Sequence, residues 1–254
     1  VHIERAGDHG PRVLLVHGSN APGWATWSAQ RPLAEHYRLI LPHRSGYPPN
    51  PPLERIDFED QAREIAELIE PGTHVVGHSY GGVVALLAAG LVPERVRSLA
   101  VIEPPAFGLV RGNPDVEAVL ARFEALYRNP GEPRDFFVRF LAAAGSRATP
   151  PDPLTPAMEA SVRATLVERP PAEAEIPLET LRSAGFPILV FSGAHDAVVD
   201  LVCDVLTREL GAERVVIPGA GHGVQRTGGA FNARLRKLID SAEAGASAGH
   251  QAMR

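Results

Sequence analysis

Short runs of Val, Leu and Ile alternate along the chain with longer segments whose apolar positions recur at helical spacing. The runs Arg12–His17, Tyr37–Leu41, Thr73–Gly77, Val96–Ile102, Phe186–Ser192 and Glu213–Ile217 predict strands. Several are continuously apolar rather than alternating, as befits strands covered on both faces. Between them, Trp24–His36, Asp57–Ile69, Tyr80–Leu91, Asp200–Leu210 and Ala230–Ser241 predict helices, with Asp57 and Thr227 as caps. Strand–helix alternation of this kind implies an α/β fold: a mostly parallel sheet with helices on both faces.

The alternation breaks once. From 106 to 181 no strand pattern occurs, and Pro and Gly punctuate helical pieces at Val116–Arg128, Asp135–Ala144 and Pro156–Glu168. A helical cap inserted into a core made of 1–105 and 182–243 fits this pattern. The last segment, 244–254, is rich in Ala, Gly and Ser and reads as a disordered tail.

Composition narrows the function classes. The chain has 254 residues, 44% of them hydrophobic, enough for one large core with an insertion. A net charge of −5 argues against nucleic acid or an anionic membrane as partner. Cys203 is the sole cysteine, so neither an internal disulfide nor a cysteine zinc site can form. Val1–Gly10 has no apolar signal-like run, and the longest apolar stretch, Gly82–Val92, is too short to span a bilayer. The expectation is a cytoplasmic protein; the oligomeric state is not readable.

Candidate chemistry gathers at the predicted strand ends. Gly77-His78-Ser79-Tyr80-Gly81-Gly82 follows one predicted strand and opens a helix. A turn of this type holds a serine hydroxyl above the sheet, and only small residues at its flanks avoid collision. A serine hydroxyl is a weak nucleophile and needs a base within reach. His222, in Pro218-Gly219-Ala220-Gly221-His222-Gly223 after the last predicted strand, is the candidate; His78, beside the serine, reads as packing support. His17-Gly18-Ser19-Asn20 ends the first predicted strand, where the Ser19 N–H, or that of Asn20, would join the Tyr80 N–H around an oxyanion.

The order His17-Gly18, Gly77-His78-Ser79-Tyr80-Gly81, an acid, then Gly221-His222 resembles the α/β-hydrolase superfamily over the whole chain except its tail. That resemblance implies an eight-stranded, mostly parallel sheet, a cap at 106–181 and no cofactor. His43-Arg44-Ser45-Gly46-Tyr47 departs from the Asp-Arg-Gly type of turn many relatives carry there. The acid has two possible seats. Asp196 stands where most of the superfamily places it; Glu103 stands where a minority does, among them the zearalenone lactonases, at the same distance beyond the serine. Glu103 is preferred, because Pro104-Pro105 would fix and bury it, and a buried carboxylate needs a partner such as His222.

The sequence therefore predicts a serine hydrolase that cleaves a small apolar carboxylic ester or lactone through an acyl-enzyme. The expected residues are Ser79, His222 and Glu103 (alternatively Asp196) for catalysis, Ser19 and Tyr80 at the oxyanion, and Trp24, Phe107 and Phe137 at the substrate. No metal motif stands out. Two rivals remain: a carbon–carbon bond hydrolase of the ring-cleavage type, suggested by the Pro22-Gly23 turn after His17-Gly18-Ser19, and a noncatalytic ligand-binding protein on the same fold.

Overall fold

The computed structural model of the chain describes residues 1–146 and 148–252, with side chains up to 248. Its elements run β1 (Ile3–Ala6), β2 (Arg12–Val16), α1 (Trp24–Trp27), β3 (Arg38–Pro42), α2 (Phe58–Leu68), β4 (Thr73–His78), α3 (Tyr80–Leu91) and β5 (Val96–Ile102). They continue through α4 (Pro114–Arg128), α5 (Pro133–Ala143), α6 (Pro156–Leu166), α7 (Leu178–Ser183), β6 (Ile188–Ser192), α8 (Ala197–Leu210), β7 (Glu213–Val216) and α9 (Gly229–Ala252). The strands form one sheet in the order β1-β3-β2-β4-β5-β6-β7, parallel except for β1, which runs antiparallel to β3.

The apolar strands have two buried faces. Leu14, Val16, Val75, Leu99, Val101 and Val190 point to a core shared with α2, α3 and α8. Their neighbours Val13, Leu15, Val76, Ala100, Leu189 and Phe191 point the other way, against Trp27, Leu33 and the α9 residues Phe231, Leu235 and Ile239. Period-two alternation thus hides inside a continuous apolar run because both sides are covered. Helix α3 is apolar around its whole circumference for the same reason, lying under β4 and β5 and packed on α2.

Several expectations are corrected. The sheet has seven strands among the described residues, not eight: β1 is its outer strand, and no described segment pairs with the free edge. The predicted helix Trp24–His36 is one α-turn followed by a 3-10 segment, Ser28–Glu35. Pro32 explains the change, since it lacks an N–H and its ring clashes with the preceding turn. Asp57 caps α2 as expected, accepting from Glu59 N at 2.9 Å. Thr227 instead donates to Val224 O, and α9 starts beyond it at Gly229. The expected disordered tail is helical to Ala252: alanine favours helix, and Glu243 is anchored to Arg97 at 3.1 Å. Residues 253 and 254 lie outside the described residues.

Helices α4, α5 and α6 follow β5 and close on a small core of their own, Leu126, Phe136, Phe137 and Val162. They stand over the carboxyl ends of β4 and β5, where the loops carrying Ser79 and Glu103 emerge. No helix among the described residues is long and apolar enough to cross a membrane.

Candidate active site

Ser79 is the single residue between β4 and α3, held at φ 53° and ψ −127°, a conformation that costs a non-glycine residue roughly 1–3 kcal/mol. Glycines on either side permit the bend. A Cβ at Gly77 would stand 2.6 Å from Ala85 Cβ, and one at Gly81 would collide with the His17 carbonyl. The turn is locked by Ser79 N donating to Ile102 O at 2.8 Å and Gly82 N donating to Ser79 O at 2.7 Å. The hydroxyl faces a cavity of about 660 Å³ that Glu103, His195 and His222 also line.

Glu103 follows β5, also at positive φ (44°), with its side chain fully buried. Its Oε2 lies 2.7 Å from His222 Nδ1, and its Oε1 accepts from Gly193 N at 2.7 Å, with His195 Nδ1 at 3.2 Å. Burial alone would raise this carboxyl. The His195 and His222 imidazoles beside it and the Gly193 N–H outweigh it, pulling the pKa down to about 2. The carboxylate therefore stays charged and requires His222 to carry its hydrogen on Nδ1, leaving Nε2 as the basic nitrogen.

The loop that presents His222 is fixed from below. His78 Nε2–H donates to His222 O at 3.0 Å, and the two rings are 4.9 Å apart. Burial pushes the His78 pKa down to about 3, so this ring is a neutral strut. Packing support was the expected role of His78; its specific hold on the His222 backbone was not legible in the sequence. Asp196, the alternative acid, lines the cavity but caps α8, its Oδ1 accepting from Val198 N at 2.8 Å and Val199 N at 3.2 Å. The structure brings Glu103, not Asp196, to the imidazole.

On the opposite wall Ser19 lines the cavity and Tyr80 begins α3, so its N–H is among those a helix start leaves free. Asn20 N donates to Thr165 Oγ1 at 3.2 Å, so the Asn20 amide is already taken and Ser19 is the better oxyanion candidate. Behind this loop lies a buried network that sequence reasoning missed. Arg44 donates through Nε to His17 O at 2.9 Å and through Nη2 to Gly18 O at 3.0 Å and Glu168 Oε1 at 2.7 Å. Its guanidinium lies between the Tyr47 and Tyr80 rings, 4.7 and 4.6 Å from their centres. Glu168, just beyond α6, accepts in turn from Ser19 Oγ at 2.6 Å and Tyr47 OH at 2.7 Å. The Arg in the His43–Tyr47 turn was visible; its partner, more than a hundred residues away, was not.

Removing one charge from this pair leaves the other buried and unpaired. Arg44→Met is expected to destabilise the protein by about 3–5 kcal/mol, read as a fall in the urea midpoint, whereas Arg44→Met combined with Glu168→Leu recovers part of the loss. Equal destabilisation by the single and double variants would contradict that coupling.

Of the three proposed substrate contacts, Phe107 lines the cavity and two do not. Trp24 packs against the sheet-side core under the Arg31 guanidinium, 4.1 Å away. Phe137 turns into the core among α4, α5 and α6, and Phe140, one turn on, reaches the cavity instead. Val119, Leu120, Phe123 and Tyr127 of α4 complete an apolar roof. Glu103, His195 and His222 bring three ligand atoms within 4.8 Å, but both oxygens of Glu103 are already engaged by Gly193 and His222.

Comparison with known proteins bears on the family and the fold. A pimeloyl-[acyl-carrier protein] methyl ester esterase of Methylococcus capsulatus is 32% identical, the match covering 92% of this chain and 95% of that protein. A thermophilic esterase from Thermogutta terrifontis shares the fold at a TM-score of 0.62 and 24% identity, over 94% of this chain and 93% of that one. So does a putative epoxide hydrolase from Pseudomonas aeruginosa, at a TM-score of 0.71 and 19% identity over 95% and 92% of the two chains. The alpha/beta hydrolase family matches residues 13–234. With that match spanning most of the sequence, the chain belongs to the alpha/beta hydrolase family.

Proposed function

We propose that the protein is a carboxylic ester hydrolase working through an acyl-enzyme on Ser79. The observation that carries this reading is the 2.7 Å bond between buried Glu103 and His222 Nδ1 at the floor of the cavity that Ser79 enters. His222 Nε2 takes the Ser79 proton as Oγ attacks the ester carbonyl, and the tetrahedral oxygen is held by the Ser19 and Tyr80 N–H groups. The imidazolium returns its proton to the leaving alcohol as the C–O bond breaks. A water activated by the same nitrogen then releases the acid and regenerates Ser79. Glu103 fixes the tautomer and stabilises the imidazolium; the Gly193 N–H holds the other carboxylate oxygen. Each oxyanion donor is typically worth ~2.7–4 kcal/mol in the transition state.

The cap at 106–181 supplies the acyl side of the cavity. Its contributions there, Phe107, Val119, Leu120, Phe123 and Phe140, suit an apolar acyl chain or a lactone ring. Similarity to a methyl ester esterase supports an ester with a small alcohol as leaving group.

A panel of aryl and methyl esters from acetyl to decanoyl, small and macrocyclic lactones, and a vinylogous diketone tests the reading. The expected result is turnover of esters, kcat/KM rising with chain length beyond acetyl, and no cleavage of the diketone. Diketone cleavage without ester turnover would assign a carbon–carbon hydrolase. Saturable binding without any turnover would assign a binding protein.

A further inference from the structure

Away from the cavity, at the outer edge of the sheet, His2, Glu4 and His43 place three potential ligand atoms within 4.8 Å of one another. Strand pairing builds the cluster. Ile3 pairs with Pro42 and His43 N donates to His2 O at 2.9 Å, so His2 and His43 stand opposite each other. Glu4, two residues after His2, shares its side of the extended chain. The His2 and His43 rings meet edge to face at 4.8 Å.

His43 is the informative member. Its Nδ1 lies 2.6 Å from Pro48 O; a carbonyl only accepts, so Nδ1 carries a hydrogen, and in the neutral ring Nε2 presents a lone pair. That Nε2 has no hydrogen-bond partner, on a side chain only 9% exposed, and it faces Glu4 Oε2 at 3.4 Å. Two lone pairs aimed at each other under the surface repel unless a cation lies between them. Two ligands on a tetrahedral zinc ion, with bonds of about 2.0–2.1 Å, stand about 3.3 Å apart, close to the separation found here. A ring N–H donated to a backbone carbonyl is also the usual way a metal-ligating histidine is oriented. Trp24 N–H, donating to Glu4 Oε2 at 3.0 Å, holds the carboxylate in place. A Cβ at Gly23 would overlap both Glu4 Oε2 and His43 Nε2, so glycine keeps the gap open.

We propose that His2, Glu4 and His43 form a binding site for a divalent transition-metal ion of the zinc type, with water as the fourth ligand on the exposed His2 side. Such an ion would tie β1 to the end of β3 and to the Gly23–Trp24 turn. The competing occupant is a proton, giving a His43 imidazolium paired with Glu4.

Co2+ is the probe, titrated into the full chain after chelator dialysis and followed by its visible absorption. The expected result is one saturable equivalent with the intense band of a four-coordinate ion, displaced by Zn2+. His2→Gln, at an exposed position where folding is not at stake, and His43→Gln should each weaken binding by at least about tenfold. His195→Gln should leave it unchanged, separating this cluster from the one around Glu103. No saturable binding up to about 1 mM would overturn the site in favour of the ion pair. Binding lost in His195→Gln but kept in His2→Gln would overturn it too.

Discussion

Glu103→Gln should lower kcat for an activated ester by about 10⁴-fold, while Asp196→Asn leaves it within about threefold. The glutamine keeps the size of the side chain but removes the charge that favours a hydrogen on His222 Nδ1. Where its amide N–H faces that nitrogen, the hydrogen moves to Nε2, which then cannot accept the Ser79 proton. Asparagine at 196 caps a helix about as well as aspartate, so the amides of Val198 and Val199 keep their partner. The opposite outcome, near-normal Glu103→Gln and inactive Asp196→Asn, would move the acid to α8.

The same variant carries a pH signature. The carboxyl of Glu103 lies near 2 in the folded protein against an ordinary value of 4.5. Its folded pKa is depressed, so the stabilisation is complete above 4.5 and fades as pH falls towards 2. Its size is about 3 kcal/mol. The denaturation midpoints of wild type and Glu103→Gln should therefore converge between pH 4.5 and pH 2. A constant difference across that window would contradict the assignment.

Ser79→Ala is expected to remove about 10⁶-fold of kcat while leaving ligand binding nearly intact. Alanine fills the same space and adopts the φ of 53° no worse than serine does, so thermal unfolding should shift little. The oxyanion amides and the cavity remain, which leaves residual catalysis of about 10³–10⁴-fold over water. A loss below tenfold would mean that another nucleophile or an activated water carries the reaction.

The pieces legible in the sequence were those that local physics specifies. Five strands, β2 to β6, announce themselves because two-sided burial demands continuous apolar runs, and the bend at Ser79 because Gly77 and Gly81 admit no Cβ; edge strand β7 has Val215 alone buried. β1 was missed: four residues with a half-exposed pattern carry no period that distinguishes them from a loop. Long-range pairing was beyond local reading. Glu103 and Asp196 both end strand-to-loop junctions, and only three-dimensional reach separates the one bonded to His222 from the one that caps a helix. Arg44 and Glu168 meet because the inserted helices fold back over the first loop. Phe136, Phe137 and Phe140 share one apolar stripe, and helix packing alone decides that Phe140 faces the cavity.

The nucleophile itself can be read directly with a fluorinated alkylphosphonate and intact-mass spectrometry, followed by peptide mapping. The expected result is one adduct per chain, located on the peptide containing Ser79, absent in Ser79→Ala and formed far more slowly in Glu103→Gln. An adduct elsewhere, or undiminished labelling of Ser79→Ala, would contradict it.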